Sequence, residues 1–307
     1  MLVICAIFLA LACRVEALHA FGASLSRTNR MTRISSSFIE TEIVGTQTVQ
    51  SLNPKDPYSF SVEQLKDSIL RVAATSNRGE NSDRSEKEKI LRFVQLMEGQ
   101  NPTDDPAMSD KAYGTWELVY SDTNLFRSSP FFMAGRAVCE QGEQADRFNQ
   151  FCDLHRAALA HTQIGKVRQI VSASCLVSEF ETVGAVVPGL PFVIRGTIES
   201  TADIVSTEAG NAWVLNMRST KIKTGTSNVP LLKNILDNSE GLPIQRLRSL
   251  LENVPAYTNP QPVFRSSFLD ENMRISRDQD DNFFVYSNVS ERSQHPLSLI
   301  ACLCKSF

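Results

Sequence analysis

At Gly114-Thr115-Trp116-Glu117-Leu118-Val119-Tyr120-Ser121 the hydrophobic period of the chain changes. Here the period is two: Trp116, Leu118 and Tyr120 point one way, while Thr115, Glu117 and Val119 point the other. That alternation describes a strand with one side on a core. Downstream the same period returns at 166–171, 175–183, 192–205, 213–223, 264–269, 273–277 and 283–287. No helical crossovers of βαβ type separate these segments, so the expectation is an antiparallel barrel or sandwich rather than a nucleotide-binding α/β fold.

Upstream of Gly114 the period is helical. Val62, Leu65, Ile69, Val72 and Ala73 share one face of a helix over 61–75, and Ser61 with Gln64 has the form of a capping box. A second helix over 82–98 carries Ile90, Phe93, Val94 and Met97, and Gly99 followed by Pro102 stops it. Arg78-Gly79 supplies the turn. Each helix is apolar on one side only, so this hairpin must pack on something else. Two insertions interrupt the strands. One, 142–160, places Phe148, Phe151, Cys152 and His155 at helical spacing; the other, 229–254, is rich in leucine and divided by Gly241 and Pro243. They form either a lid or docking surface, or a cover for barrel wall.

Before residue 58 the chain reads as an address. Leu2 to Cys13 are twelve apolar residues, reaching about 18 Å as a helix against a hydrocarbon core of roughly 30 Å. That is a signal-peptide length, with Ala17 and Ala20 as small cleavage-site residues. Phe21 to Phe38 then reads FGASLSRTNRMTRISSSF, with three arginines, many hydroxyl residues and no acid, the composition of a transit peptide. The expected organisation is a signal peptide over 1–20, a plastid transit peptide over 21–45, a folded region over 58–290 and a tail over 291–307. A signal peptide followed by a transit peptide with Phe at its first position resembles the bipartite leader of algae with complex plastids. The alternative is a secretory leader followed by a basic linker.

The charge distribution follows the same division. The 307 residues carry a net charge of −3, with 42% apolar and 21% charged residues, a composition that buries a core. Arg14, Arg27, Arg30 and Arg33 against Glu16 make the first 38 residues +3, which leaves −6 on the rest. A body that acidic has no footprint for phosphate backbones, so nucleic acid is not an expected partner. The cysteines beyond the leader, Cys139, Cys152, Cys175, Cys302 and Cys304, are odd in number and irregularly spaced, which suits a reduced compartment better than a disulfide scaffold.

Motifs of catalysis are absent from the sequence: it holds no Gly-x-Ser-x-Gly, no phosphate loop, no Gly-x-Gly-x-x-Gly and no His-Glu-x-x-His. Cys152-x-x-His155 with His161 lacks further ligands at metal-site spacing. The expectation is a protein that is not an enzyme and needs no metal or cofactor.

The order and spacing of several pieces resemble the plastid-lipid-associated proteins, or plastid fibrillins. These pieces are the helical lead-in with Arg78-Gly79 and Asn101-Pro102, the Gly114 to Ser121 strand, and Phe126-Arg127-Ser128-Ser129-Pro130-Phe131-Phe132. The Gly165 to Val171 strand with Gln169 follows, then Phe268-Leu269-Asp270-Glu271-Asn272-Met273-Arg274-Ile275-Ser276-Arg277-Asp278. The resemblance covers roughly 60–288; the long stretch between Phe132 and Gly165 departs from it. It implies a lipocalin-like antiparallel β-barrel, preceded by the helical hairpin over 61–98 and spanning 113–288. It also implies binding or coating of lipids at thylakoids or plastoglobules. Its expected partners are lipids or prenylquinones and a membrane or plastoglobule surface, or alternatively a plastid enzyme of lipid or quinone synthesis.

The candidate ligand-binding residues follow from that barrel. Gly114-x-Trp116 has the spacing lipocalins use on their first strand, where the tryptophan plugs the floor under an arginine from a late strand. Arg277 is the candidate for that arginine, with Arg274 on the opposite strand face directed to Asp270 or Glu271. Tyr120, on the Trp116 face, joins the set. Phe131 and Phe132 have no period and read as a loop, either lining a pocket mouth, entering a membrane interface, or folding back into the core. Arg127 with Ser128 and Ser129 either holds a lipid phosphate or carboxylate, or caps the next element.

Overall fold

The computed structural model describes residues 60–139, 142–158, 162–185, 193–224 and 260–289. The leader, the 229–254 insertion and the 291–307 tail lie outside the described residues, as does His161.

Helix α1 (Val62–Thr75) begins at Ser61, whose hydroxyl accepts the Gln64 N–H while Gln64 answers the Ser61 N–H, so the expected capping box is present. Helix α2 (Arg84–Glu98) has a second box, between Asp83 and Glu86. Each box satisfies backbone donors that a helix start leaves open.

The strands are β1 (Gly114–Ser121), β2 (Thr162–Val171), β3 (Cys175–Ala185), β4 (Val193–Glu208), β5 (Ala212–Thr224), β6 (Val263–Leu269), β7 (Met273–Arg277) and β8 (Phe283–Asn288). They pair in sequence order, each antiparallel to the next, and β8 returns to β1 to close the barrel. The lipocalin-like antiparallel barrel expected from the sequence is thus the observed architecture. Closure leaves no edge strand among the eight.

The hairpin covers the outside of one wall. Leu65, Ile69, Ile90, Phe93, Val94 and Met97 from the helices form one cluster with Tyr120, Phe268, Met273, Ile275, Phe283 and Val285. Fully burying a side chain of this size stabilises by roughly 1.5–3 kcal/mol, so this interface is what fixes the hairpin. Its turn docks on β1 and β2: Arg78 donates to the carbonyls of Ile164 and Gly165, and its own carbonyl accepts the Ser121 N–H. Gly79 has φ +95°, and a Cβ there would come within 2.2 Å of the Ser121 carbonyl oxygen. Only glycine fits that approach.

Two bulges place the outer cluster. In β1, Leu118 pairs with Tyr286 and Tyr120 with Val285, so two residues of β1 oppose one of β8. The extra residue turns Tyr120 out of the barrel and under the hairpin, where its ring stacks on Phe283 at 5.9 Å. This corrects the expectation that Tyr120 shares the Trp116 face. A matching irregularity in β6 between Ser266 and Phe268 sends Phe268 to the same outer cluster.

The segment expected to be a loop at Phe131 and Phe132 is helix α3 (Pro130–Ala137), with Ser129 as N-cap and Pro130 in the first turn. Helix α4 (Glu143–Ala158) follows, within the 142–160 insertion. Phe131, Phe132 and Met133 of α3, with Phe148 and Cys152 of α4, join the cluster that fills the barrel interior. Cys152 and Cys175 are buried and stand outside any disulfide. Cys139 is disulfide-bonded, which the irregular cysteine spacing did not announce. No helix among the described residues is long and apolar enough to cross a membrane.

Candidate functional site

At one end of the barrel a tryptophan enters from each of two strands, β1 and β5, and both rings lie beside the same guanidinium. Trp116 of β1 donates its indole N–H to the Ala112 carbonyl at 2.9 Å, and Trp213 of β5 donates to the Ala107 carbonyl at 2.8 Å. The chain from Ala107 to Ala112 therefore crosses this end and closes it. Gly114 has φ +126°, a conformation that L side chains rarely adopt, and it lets the chain turn from this cap into β1. The floor expected from the Gly-x-Trp spacing is present.

The arginine above the floor is Arg274. Its guanidinium carbon lies 4.6 Å from the Tyr286 ring, 5.2 Å from Trp116 and 5.5 Å from Trp213. Arg274 is fully buried, and burial lowers its pKa to about 10, which leaves it charged at neutral pH. One nitrogen, Nη2, donates to Gln169 Oε1, and Gln169 in turn donates to the Ser128 carbonyl at 2.9 Å. Among the described residues Nε and Nη1 have no hydrogen-bond partner. Arg277, the residue expected here, points outward: it donates to both carboxylate oxygens of Glu98 in α2 and lies over the Phe283 ring. The reason is that Met273 and Ile275 serve the hairpin interface, so the strand face they share with Arg277 is the outer one. Arg274, on the other face, meets neither Asp270 nor Glu271, whose cationic partners are Lys66 and Lys111.

The register sets a polar residue on each strand from β2 to β5. Trp116 pairs with Gln169, Gln169 with Ser178, Ser178 with Ser200, and Ser200 with Thr220. Directly opposed residues share a sheet face, and Leu176, Phe180 and Ala202 on either side of these positions line the interior. Gln169, Ser178, Ser200 and Thr220 are all buried, and the Ser200 and Thr220 hydroxyls share a hydrogen bond of 3.2 Å. The interior thus carries an oblique belt of amide and hydroxyl groups that rises from Trp116, because the strands of a closed barrel tilt to its axis. Period-two reading of single strands gave no sign of it, because the belt exists only once five strands are set in register.

At the other end, α3 closes the mouth. Phe131 and Phe132 are 7% and 8% exposed, so neither reaches solvent or a membrane interface; they are buried in the core, in a helix. Arg127 is also buried and bonded, to Asp278 at 3.2 Å and Asp280 at 2.6 Å, with Arg136 sharing Asp280 at 2.8 Å. It therefore ties the start of α3 to the β7–β8 turn through Nη2. Ser128 donates to the Leu125 carbonyl, and Ser129 caps α3 by accepting the Phe131 N–H.

Outside the mouth an open groove of about 810 Å³ runs between the α1–α2 turn, α4 and the start of β2. Asn77, Glu80, Asp153, Arg156 and Gln163 give it polar walls, and Phe126 an apolar one. Phe126 contacts Phe132 at 4.5 Å and His155 at 4.7 Å, so an aromatic path joins groove to mouth. His155 stacks among Phe126, Phe132 and Phe151, and burial lowers its pKa. Burial also pushes the Cys152 thiol up to about 12, which makes it an inert core group. Among the described residues no cluster of ligands that could hold a metal is present.

The PAP_fibrillin family model matches residues 63–287, from the first turn of α1 into the last strand. No curated protein matches the chain.

Proposed function

The chain belongs to the PAP_fibrillin family of plastid lipid-associated proteins, and from that premise we propose that it holds an acyl or isoprenoid lipid inside its barrel without acting on it chemically. Its place of work is the thylakoid or plastoglobule surface of a plastid reached through the bipartite leader. The observation that carries the reading is the closed barrel whose interior cluster runs without a break into α3. A chain entering from the groove would pass Phe126 and take the volume of Phe131, Phe132 and Met133. Helix α3 is therefore the part that moves, and each Å² of apolar surface removed from water contributes about 25 cal/mol.

Nothing in this mechanism calls for an acid, a base or a nucleophile: the buried groups of the interior, Arg274, Gln169, Ser200 and Thr220, orient rather than react. The test is to extract lipids from the purified full chain and then to offer the emptied protein plastid lipids and prenylquinones. The expected result is a co-purified or reloaded acyl or isoprenoid lipid. A protein that emerges empty and ignores both classes contradicts the reading.

The groove favours a second reading, a docking site for a plastid enzyme of lipid or quinone synthesis. Asp153 and Arg156 on α4 line it, and deleting α4 would remove Phe148 and Cys152 from the core. Arg156→Glu separates the two readings: lost capture of such an enzyme with lipid uptake retained identifies docking.

A further inference from the structure

We infer that Arg274 and Gln169 form the head-group subsite of the barrel, and that the ligand it selects is a long-chain fatty acid bound carboxylate-first. The inference rests on the lipid-holding reading above and adds the chemistry of the head. A barrel that had only to accept a hydrocarbon chain would be served by apolar side chains throughout, since a buried ion is costly to desolvate unless it is compensated. Here a guanidinium is fully buried and bonded once, to the neutral amide of Gln169. Among the described residues no carboxylate is paired with it, and its Nε and Nη1 have no hydrogen-bond partner.

Three aromatic faces surround Arg274 and supply part of the compensation, but a ring face does not replace two directed acceptors. A carboxylate does, because its two oxygens match the fork of a guanidinium and it carries the opposite charge. Gln169 extends the same preference. Its amide lies directly opposite Trp116 on the neighbouring strand, and the apolar interior runs from there to α3. A head seated on Arg274 would thus lie on the floor, with its chain directed toward α3.

The test compares oleate with methyl oleate, which has the same chain and an uncharged head. Binding to the full chain is measured by titration calorimetry below the critical micelle concentration. Oleate is expected to bind at least about tenfold more tightly than its ester, a ratio modest for a desolvated charge-assisted pair. Arg274→Met should remove the preference and leave ester binding in place. Gln169→Glu supplies an internal carboxylate to Arg274 and should also abolish the preference, which keeps the inference testable if Arg274→Met does not fold. Equal affinity of the native chain for acid and ester overturns the inference, as does a preference that survives in Arg274→Met or in Gln169→Glu. Failure to bind either probe defeats the lipid-holding reading itself, whereas binding without head preference defeats the subsite alone.

Discussion

Arg274 and Arg277 stand three residues apart on β7 and lie on opposite sides of the barrel wall. Arg277 is neutralised by Glu98 and by Asp281, while Arg274 has three rings and an amide for company. Near the Arg277 end, Asp122 accepts the Phe283 N–H at 3.0 Å, and burial, aided by Asp278, pushes its carboxyl up to about 7. In the unfolded chain the same group ionises near the usual 3.8. Its protonated form therefore favours the folded state, a contribution complete below the unfolded value and lost as pH rises through about 7. Asp122→Asn keeps an acceptor for Phe283 and carries no charge. Its advantage in Tm should grow from about pH 4 to pH 7 and then level off, and an advantage independent of pH in thermal melts would refute this assignment. The period of β7 showed which arginine shares a face with Met273 and Ile275. It could not show which face is inside, because all five residues of the strand are buried. Tyr120 was illegible for a related reason: one extra residue in β1 reverses every side chain after it, and no glycine or proline marks the place.

Among the elements, the hairpin was the most legible, since its stripes and the Ser61 box follow from local sequence alone. Its dependence on Gly79 leads to a direct expectation. Gly79→Ala places a Cβ against the Ser121 carbonyl at a positive φ, and should cost at least about 2 kcal/mol in denaturant unfolding; a neutral effect would mean that the hairpin turn does not dock on β1 as described. Helix α3 was the least legible element. It has eight residues, seven of them buried, so no amphipathic period exists to be read. The usable signal was Ser129-Pro130, an N-cap followed by proline in the first turn. Asp280 holds both Arg127 and Arg136 to the β7–β8 turn, so Asp280→Ala should loosen α3. We expect a stability loss of about 1–3 kcal/mol, moderated by the partial exposure of Asp280. Lipid uptake in stopped flow should become faster in this variant. Unchanged uptake with lowered stability would show that α3 is not the gate.

For the whole molecule, the eight-stranded order and its helical lead-in were legible because alternation repeats strand after strand. The polar belt and the capped mouth were not, since both arise from register and closure between distant segments. The acidic body, at −6 outside the leader, gains no general attraction to anionic lipid surfaces. With Phe131 and Phe132 buried, the proposed lipid contact is the one inside the barrel. Delivery is a separate property of the first residues: a reporter carrying residues 1–45 should accumulate in plastids, and its secretion would contradict the proposed address. The chain has two tryptophans, Trp116 and Trp213, and both lie on the interior floor beside Arg274. Their fluorescence therefore reports on the site directly. Titrating the full chain with 2-bromopalmitate, whose bromine quenches at contact distance, should extinguish most of the tryptophan emission at one equivalent, while palmitate should not. Binding of both lipids with emission left intact would place the lipid outside the barrel and contradict a lipid held on its floor.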